Sequence, residues 1–190
     1  MPERTDQDEA AEWMAAIARG ERQALALLIA RHGRGLTLMA TRYLGGEEEA
    51  EEVVQDVFLR VWRNASRYDP ARAKVSTWLY RIAVNLCIDR QRKRAFRRFV
   101  GLEDAAQEIP DPEPGAARRI AGQQRLDQVR AAMDRLPQRQ RMALLLSAVA
   151  GLDTASVAEA MGSSRGAVEQ LLVRARRTLR PLAAEDEETS

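Results

Sequence analysis

Apolar residues recur along most of the chain every three or four positions, the spacing of amphipathic α-helices, and they show no alternation typical of strands. This spacing predicts four N-terminal helices, at residues 10–18, 23–44, 47–64 and 76–94. It predicts four more in the C-terminal half, at residues 123–136, 138–150, 154–161 and 165–182. Gly33 and Gly35 weaken the middle of the second helix, so a bend or break is expected there. The pattern therefore predicts an all-α protein.

The helical pattern stops between the two halves. Pro110, Pro112 and Pro114 alternate with acidic residues there, and proline at every second position removes backbone donors and opposes helix formation. Such a segment is typical of a flexible linker. We therefore predict two small helical domains joined by a Pro-rich linker and followed by an acidic tail. Their bounds are residues 10–97 for the N-terminal helical bundle, 98–122 for the linker, 123–183 for a helix-turn-helix domain and 184–190 for the tail.

The fourth predicted helix places an apolar stripe beside a polar strip. The stripe consists of Trp78, Leu79, Ile82 and Leu86. The strip consists of Arg81, Asn85, Ile88 and Arg92, with Asp89 beside it. Asparagine offers a donor and an acceptor to a base edge, and arginine neutralises phosphates. The helix is therefore predicted to pack into a core on one side and to bind nucleic acid on the other.

Residues around this strip add to the predicted nucleic-acid surface. The cations offered to phosphates are Arg81, Arg90, Arg92, Lys93 and Arg94. Trp78 and Tyr80 have flat faces on which unpaired bases could stack. The segment of Lys74, Val75, Ser76 and Thr77 precedes the helix and could hold a flipped base. Two simpler interpretations stay open: Trp78 is an ordinary core aromatic, and the basic end is a solvated terminus that complements the helix dipole.

The third predicted helix has an apolar side and an acidic side. The apolar side consists of Val53, Val54, Val57, Phe58, Val61 and Trp62. The other side consists of Glu52, Asp56, Leu59 and Arg63, with Gln55 at its edge. Two interpretations stay open, a solvated face of a core helix and a docking face for a partner. An apolar Leu59 among charges favours the docking face.

The last two predicted helices form a helix-turn-helix pattern, with Gly162-Ser163-Ser164 as the turn. The inward stripe of the second helix consists of Val168, Leu171, Leu172, Ala175 and Leu179. Its opposite face consists of Glu169, Gln170, Val173, Arg174, Arg177 and Arg180. Val173 suits a thymine methyl, Gln170 suits adenine and Glu169 suits the cytosine amino group. Arg165, Arg176 and Arg177 suit phosphates. A helical hairpin without a DNA role is the simpler alternative.

The amino-acid composition limits the classes of function that the protein could have. Of 30 basic residues all but two are arginine, which fits nucleic-acid binding and equally fits a GC-rich genome. A single cysteine, Cys87, allows no internal disulfide, and neither a signal peptide nor a membrane-length apolar run is present, so a cytoplasmic location is expected. We see no metal-ligand spacing, and His32, the only histidine, is expected at the surface. We therefore expect no metal, no cofactor and no enzyme activity.

Four segments, in this order and at these separations, resemble bacterial RNA polymerase sigma factors of the extracytoplasmic-function (ECF) group in the sigma-70 family. They are residues 20–24, residues 51–58, residues 76–85 with Asp89 and Arg92, and residues 136–137 followed by 162–179. In this family the second segment resembles the polymerase-docking helix, the third the reader of the −10 promoter element, and the fourth the reader of the −35 element.

The resemblance implies a role for each segment. The residues implied for docking on the β′ clamp helices of core RNA polymerase are Glu52, Gln55, Asp56 and Leu59. Those implied for opening and holding the −10 element are Lys74, Ser76, Trp78, Arg81, Asn85, Asp89 and Arg92. Those implied for the −35 major groove are Arg165, Glu169, Gln170, Val173, Arg174 and Arg177. It also implies contact with the polymerase β flap, a linker threaded toward the active-site cleft, and an anti-sigma factor that covers both domains.

The chain departs from the family pattern at a few positions. Glu169 stands where the family often has a basic residue, and Leu171 and Leu172 make the middle of this helix less basic than is common. Ser156 stands where a glutamate is frequent. We therefore expect a different −35 base preference.

The leading hypothesis is a promoter-specificity subunit that binds DNA and polymerase. A second is a sigma mimic that sequesters anti-sigma factors without touching DNA; the basic strip and the arginine-rich last helix count against it. A third is an autonomous helix-turn-helix regulator that binds duplex DNA as a dimer, which would not need this N-terminal half. Run-off transcription with core polymerase separates the three.

Overall fold

The computed structural model describes the backbone of residues 6–101 and 131–184 and the side chains of residues 8–101 and 131–180. The helices are α1 (Asp6–Ala18), α2 (Arg22–Leu44), α3 (Glu47–Asn64), α4 (Val75–Phe99), α5 (Gln138–Ala148), α6 (Thr154–Ala160) and α7 (Arg165–Ala184). A 3₁₀ turn at Ala65–Arg67 follows α3, and residues 131–134 are also helical. No strand occurs in these two ranges. The prediction of an all-α fold is confirmed.

Glycine and acidic residues set the junction between α2 and α3. Gly45 has a φ of 86°, a left-handed conformation, and its N–H donates to the Thr41 carbonyl at 2.8 Å, which closes α2. Three glutamates then occupy the first turn of α3, where they complement the positive end of the helix dipole. These local signals explain why the bounds predicted at residues 44 and 47 are confirmed.

The fourth helix is longer than its pattern predicted, because it continues to Phe99 instead of ending at residue 94. It therefore enters the segment assigned to the linker. The remainder of the predicted linker from residue 102 lies outside the described residues, as does the tail after Ala184. The domain boundaries at 97 and 123 stay predictions.

The second helix runs without interruption through Gly33 and Gly35, so the break expected there does not occur. A Cβ atom at Gly35 would lie 2.7 Å from the Tyr80 hydroxyl oxygen, whereas one at Gly33 would meet only the Ile29 side chain at 3.7 Å. Tyr80 is 6% exposed, and burial raises its pKa to about 12. Gly35 therefore provides close approach between α2 and α4, not a hinge.

The N-terminal lobe, α1 to α4, packs around one apolar centre. Here α2 contacts α1, α3 and α4, and α3 contacts α4. Its fully buried side chains include Met14, Leu28, Leu36, Met39, Tyr43, Val53, Val57, Val61 and Leu79. The apolar stripes predicted for α3 and α4 supply much of this core.

The C-terminal lobe, α5 to α7, has a smaller core. Its buried side chains include Met142, Leu145, Leu146, Val157, Val168 and Leu172. These residues are continuous with the buried cluster of the N-terminal lobe, because α5 contacts α2 and α6 contacts α4. The described parts of the two lobes therefore pack against each other, an arrangement that helical periodicity did not indicate.

We expect Gly35→Ala to lower the free energy of unfolding by about 1–3 kcal/mol, because the added methyl group overpacks against a rigid, buried tyrosine. Gly33→Ala is the matched control, and it should stabilise the protein by about 0.5–1 kcal/mol through helix propensity. Urea unfolding followed by circular dichroism measures both. The double variant Gly35→Ala/Tyr80→Phe should recover much of the loss; equal stability of the two single alanine variants would contradict the close-approach role.

Candidate nucleic-acid interface

The polar strip of α4 is exposed along its length. Arg81, Asn85, Asp89 and Arg92 all have exposed side chains, whereas Ile88 between them is half-buried. The residues that turn to the core on the same helix include Leu79 at 0% exposure and Leu86 at 6%. Burial of this stripe fixes the rotation of α4 and leaves the strip facing outward. The structure thus brings the predicted strip residues together on one surface.

Trp78 lies at the boundary between core and surface. It is half-buried and packs against the core cluster, and its ring centroid is 5.7 Å from that of Tyr68 in a tilted arrangement. Tyr80, by contrast, faces α2 and is buried. The suggestion that Tyr80 stacks on bases is therefore wrong. Two positions along a helix are about 200° apart, so Trp78 and Tyr80 cannot face the same way.

Arg90 is not available as a phosphate contact, contrary to the expectation from the basic run. Its guanidinium forms a short hydrogen bond with Glu52 and lies 3.5 Å from Asp56 Oδ2, both on α3. Burial acts to lower the pKa of Arg90, but the hydrogen bonds and charges of these carboxylates outweigh it and raise the pKa. Arg90 therefore ties α4 to the acidic face of α3.

The predicted docking face on α3 combines this acidic pair with an apolar residue. Glu52 and Asp56 remain about half exposed in spite of the ion pairs, Gln55 is exposed, and Leu59 is 50% exposed. Arg90 thus contacts both carboxylates. The face combines carboxylate acceptors with an apolar contact, which suits a basic partner surface with some apolar area.

The segment before α4 is shaped by local hydrogen bonds. Asp69 Oδ1 accepts from the Ala71 N–H at 2.9 Å, and the Tyr68 hydroxyl donates to the Ala73 carbonyl at 2.9 Å. Lys74 is exposed, Ser76 is half-buried and Thr77 is buried. The predicted base-holding segment is thus the N-cap and first turn of α4, and its one cation, Lys74, lies 4.0 Å from Asp153 Oδ2.

Both helices of the helix-turn-helix begin with a capping hydrogen bond. Asp153 Oδ1 accepts from the Ser156 N–H at 2.8 Å, and the Ser164 hydroxyl accepts from the Ala167 N–H at 3.2 Å. Gly162 has a φ of 57° at the turn between α6 and α7. The hydrogen bond with Ser156 is the main cause that lowers the pKa of Asp153. These caps satisfy backbone N–H groups in the first turns of α6 and α7.

The outward face of α7 has the composition that the pattern predicted. Its exposed members are Arg165, Glu169, Gln170, Val173, Arg174 and Arg177, with Val173 57% exposed. Val168, Leu172 and Ala175 on the other side are buried. Arg165 Nε and Glu169 Oε1 are 3.1 Å apart as an i, i+4 ion pair. Two residues that were expected to contact DNA independently are therefore paired with each other.

The sequence interpretation missed the continuation of the α4 strip. Phe96 and Phe99 follow Arg92 by four and seven residues, so they lie on the same face, and they are 64% and 88% exposed. The pattern predicted that this helix ends at residue 94, so both phenylalanines were left outside it. Their helical spacing from Arg92 was the signal that would have placed them on the strip.

Within residues 6–101 and 131–184 no group of three or more potential ligands is placed to hold a metal ion. The helices described here also include none long and apolar enough to cross a membrane.

Comparison with known proteins gives the family. The Sigma-70 region 2 family matches residues 28–97, and the Sigma-70 region 4 family matches residues 126–179. The RNA polymerase sigma factor CnrH of Cupriavidus metallidurans is 32% identical over 180 residues, which cover 92% of this chain and 94% of CnrH. The ECF RNA polymerase sigma factor SigM of Mycobacterium tuberculosis is 36% identical over 171 residues, which cover 89% of this chain and 82% of SigM. The chain belongs to the ECF group of sigma-70 family sigma factors.

Solved structures agree with this assignment. CnrH, in its complex with the cytosolic domain of CnrY, matches with a TM-score of 0.69 at 28% identity, over 94% of this chain and 99% of that one. The sigma factor RpoE of Bartonella quintana, in complex with the anti-sigma factor NepR, matches with a TM-score of 0.64 over 86% of this chain and 96% of that one. At 22% identity the second match shows the fold alone.

The cap at α6 gives a pH-dependent prediction. The pKa of Asp153 is lowered from its ordinary value of 3.8, so its carboxylate stabilises the folded state above about pH 4 and this contribution is lost as the pH falls through the lowered pKa. Asp153→Ala should cost about 1 kcal/mol at pH 7, whereas Asp153→Asn keeps a capping side chain and should cost much less. Thermal unfolding between pH 7 and pH 3 measures this. An Asn variant with the same pH dependence as the parent would contradict an ionic cap.

Proposed function

We propose that this protein directs core RNA polymerase to specific promoters and starts transcription by reading a −35 element with α7 and a −10 element with α4. The proposal rests on one observation: the chain has two polar helix faces that point outward, one on α4 and one on α7. The buried apolar stripe of each helix fixes the orientation of its polar face. The protein acts by binding, in the cytoplasm, and it needs no cofactor and performs no catalysis.

Promoter opening would use the strip of α4 and the turn before it. Asn85 would hydrogen-bond an unpaired base, Arg81 and Arg92 would neutralise phosphates, and the exposed edge of Trp78 would stack. Lys74 and Ser76 would hold a base drawn out of the duplex, and Asp89 would accept from a base amino group. The half-buried state of Trp78 supports a ring that is held rigidly by the core and is still reachable from the surface.

Recognition of the −35 element would use α7 in the major groove. Gln170, Val173 and Glu169 would meet base edges, while Arg165, Arg174 and Arg177 would meet bases and phosphates at the border of the groove. The exposure of Val173 supports this reading, because a solvent-facing valine on a polar face is stabilised once a thymine methyl covers it.

Core polymerase would bind the α3 face of Glu52, Gln55, Asp56 and Leu59 through its β′ clamp helices, and the C-terminal lobe through its β flap. The exposure of these two carboxylates and of Leu59 on the same helix supports the first contact. A regulator of the anti-sigma class is proposed as a further partner, because the related sigma factor CnrH is found in complex with the cytosolic domain of a second protein, CnrY.

Run-off transcription with purified core polymerase and a promoter mapped after overexpression tests this function. Transcripts that start only when this protein is added would support it. A sigma mimic would give no transcript, and a dimeric regulator would give one only with another sigma factor present.

Asn85→Ala should reduce promoter opening by about tenfold while leaving duplex binding within about twofold, because the proposed hydrogen bond forms only on unpaired DNA. Permanganate reactivity of thymines in the −10 element measures opening, and gel retardation of the holoenzyme measures binding. Asn64→Ala, at the end of α3, is the matched control and should change neither. Equal losses in both assays would count against this role of Asn85.

Glu169→Arg should change the preferred −35 sequence, because it removes the ion pair with Arg165 and places a cation on the reading face. Each base pair that is misread should cost about 1–3 kcal/mol. Sequencing of a randomised −35 library after selection by binding gives the preference directly. Glu9→Arg on α1 is the control for net charge. If the selected sequence stays the same, Glu169 does not read DNA.

A further inference from the structure

The last two turns of α4 project from the N-terminal lobe. Every residue from Arg92 to Gly101 is exposed, so the packed core does not extend to this part of the helix. The helix is nevertheless regular to its end, because the Val100 N–H donates to the Phe96 carbonyl at 3.0 Å. Gly101, with a φ of 69°, then adopts the left-handed conformation that commonly ends helices. Local hydrogen bonds and a glycine stop therefore define this end of α4.

Two large aromatic side chains lie on this projecting end. Phe96 is 64% exposed, Phe99 is 88% exposed, and Val100 beside them is 42% exposed. Phe96 and Phe99 are neighbours on the helix surface, because side chains three residues apart meet there. Single apolar side chains are common at protein surfaces, whereas adjacent large ones mark an interaction site. A partner is therefore expected to cover this pair.

The charge around the pair indicates an anionic partner. The segment from Arg92 to Gly101 has no acidic residue, and its cations are Arg92, Lys93, Arg94, Arg97 and Arg98. Cations in the last turn of a helix complement its dipole, and Arg97 and Arg98 occupy that turn. The other three cations precede it, where the effect of the dipole has fallen off. Their presence is better explained by a negatively charged surface that the end of α4 meets.

The pair continues the polar strip of α4. At about 100° per residue, Phe96 and Phe99 lie within about 40° of Arg92 around the helix axis. From Trp78 to Arg92 the helix rises about 21 Å, which equals roughly six base pairs of B-form DNA. Phe99 lies about 10 Å, or three base pairs, further along. DNA that follows the strip would therefore reach the two phenylalanines just outside the −10 element.

The direction of the chain selects the side of the element. The proposed base-holding segment precedes α4, at the N-terminal end of the strip. From the other end of α4 the chain continues into the lobe proposed to read the −35 element. The phenylalanines therefore belong on the −35 side, where the spacer DNA stays paired. The apolar group that paired DNA presents in its major groove is the thymine methyl, and phenylalanine is one of the side chains that contact it.

We propose that the projecting end of α4 is an additional reading surface for the paired spacer DNA next to the −10 element. Phe96 and Phe99 cover thymine methyl groups in the major groove, and Arg92, Lys93 and Arg97 bind phosphates along the groove. The inference rests on the proposed function. It adds a base preference outside the two promoter elements and assigns that preference to two residues.

Two other occupants fit the charge and the position less well. A second copy of the chain would bring two segments of like charge together, which costs free energy. A flat anionic lipid surface that covered Phe96 and Phe99 would also cover Asp89 and Asn85, which lie on the same strip. It would repel Asp89 and leave the hydrogen-bonding groups of Asn85 without matched partners. DNA offers both phosphates and polar base edges, so it suits the whole strip.

A promoter library tests the base preference. It is randomised only at the base pairs that adjoin the −10 element on its −35 side, selected by binding to holoenzyme and sequenced. We expect holoenzyme with the parent protein to enrich thymine there, and holoenzyme with Phe96→Ala/Phe99→Ala to lose this enrichment. Leu27→Ala/Leu38→Ala is the matched control, because it removes two side chains on α2 that are 46% and 41% exposed. It should enrich thymine as the parent does.

Deoxyuridine tests the atoms involved, because it differs from thymidine only by the missing methyl group. Replacing one enriched thymidine by deoxyuridine should weaken binding of the parent holoenzyme about fourfold, the contribution of one buried methyl group. Gel retardation measures this. Holoenzyme with Phe96→Ala/Phe99→Ala should bind both DNAs equally. Equal losses with parent and variant, or no loss with the parent, would overturn the proposal.

Folding of the variant is not expected to confuse these results. Both phenylalanines are exposed, and alanine has a higher helix propensity than phenylalanine, so the double variant should keep the helix content of the parent. Circular dichroism measures this. Arg97→Gln provides an independent readout: it should weaken binding to all library members alike and reduce the salt dependence by about one phosphate contact, without changing the preferred bases.

The other occupants are outcomes of two further measurements. Cosedimentation of the full chain with phosphatidylglycerol vesicles reports on a lipid surface, and sedimentation velocity reports on self-association. We expect the parent and Phe96→Ala/Phe99→Ala to behave alike in both. Vesicle binding or a dimer that depends on the two phenylalanines, together with an unchanged DNA preference, would overturn the proposal.

These outcomes separate the inference from the function on which it rests. If the parent holoenzyme gives no run-off transcript, the proposed function fails. If it transcribes but enriches no thymine beside the −10 element, the proposed function stands and the additional reading surface is wrong.

Discussion

The division of α4 into a buried side and an exposed side is the constraint on which the rest of the structure depends. Leu79, Ala83 and Cys87 on this helix have no exposed surface, and removing such apolar area from water contributes about 25 cal/mol per Å². A rotation of α4 that exposed this stripe would lose that contribution. The packing of the core therefore determines the direction in which the polar strip faces. The strip residues need no contacts of their own to keep that direction.

Ion pairs connect charged residues on the proposed binding surfaces. Arg90 on α4 pairs with the exposed carboxylates of α3, so it connects the proposed polymerase face with the helix that carries the proposed −10 face. On α7 the pair between Arg165 and Glu169 neutralises a cation at the start of the helix. Both cases show that a charged residue on an outward face can have an intramolecular partner. Charge runs in the sequence therefore overstate the number of cations free for phosphates.

The two lobes are in contact, because α6 packs on α4 and α5 packs on α2. The contacts at the interface combine an apolar centre with surface-exposed polar pairs.

Local signals in the sequence were sufficient for the helices, because apolar periodicity and glycine stops act within a few residues. They predicted the bounds of α3, the amphipathic division of α4 and α7, and the helix-turn-helix, and the family resemblance that they carried is confirmed. The close approach at Gly35, the burial of Tyr80 and the ion pairs of Arg90 could not be predicted in this way. Each depends on a residue more than 30 positions distant in the chain, and no periodicity within one helix encodes which neighbour it will meet. The packing of α6 on α4 was decided only in three dimensions, for the same reason: it depends on two surfaces that are each compatible with a solvated state.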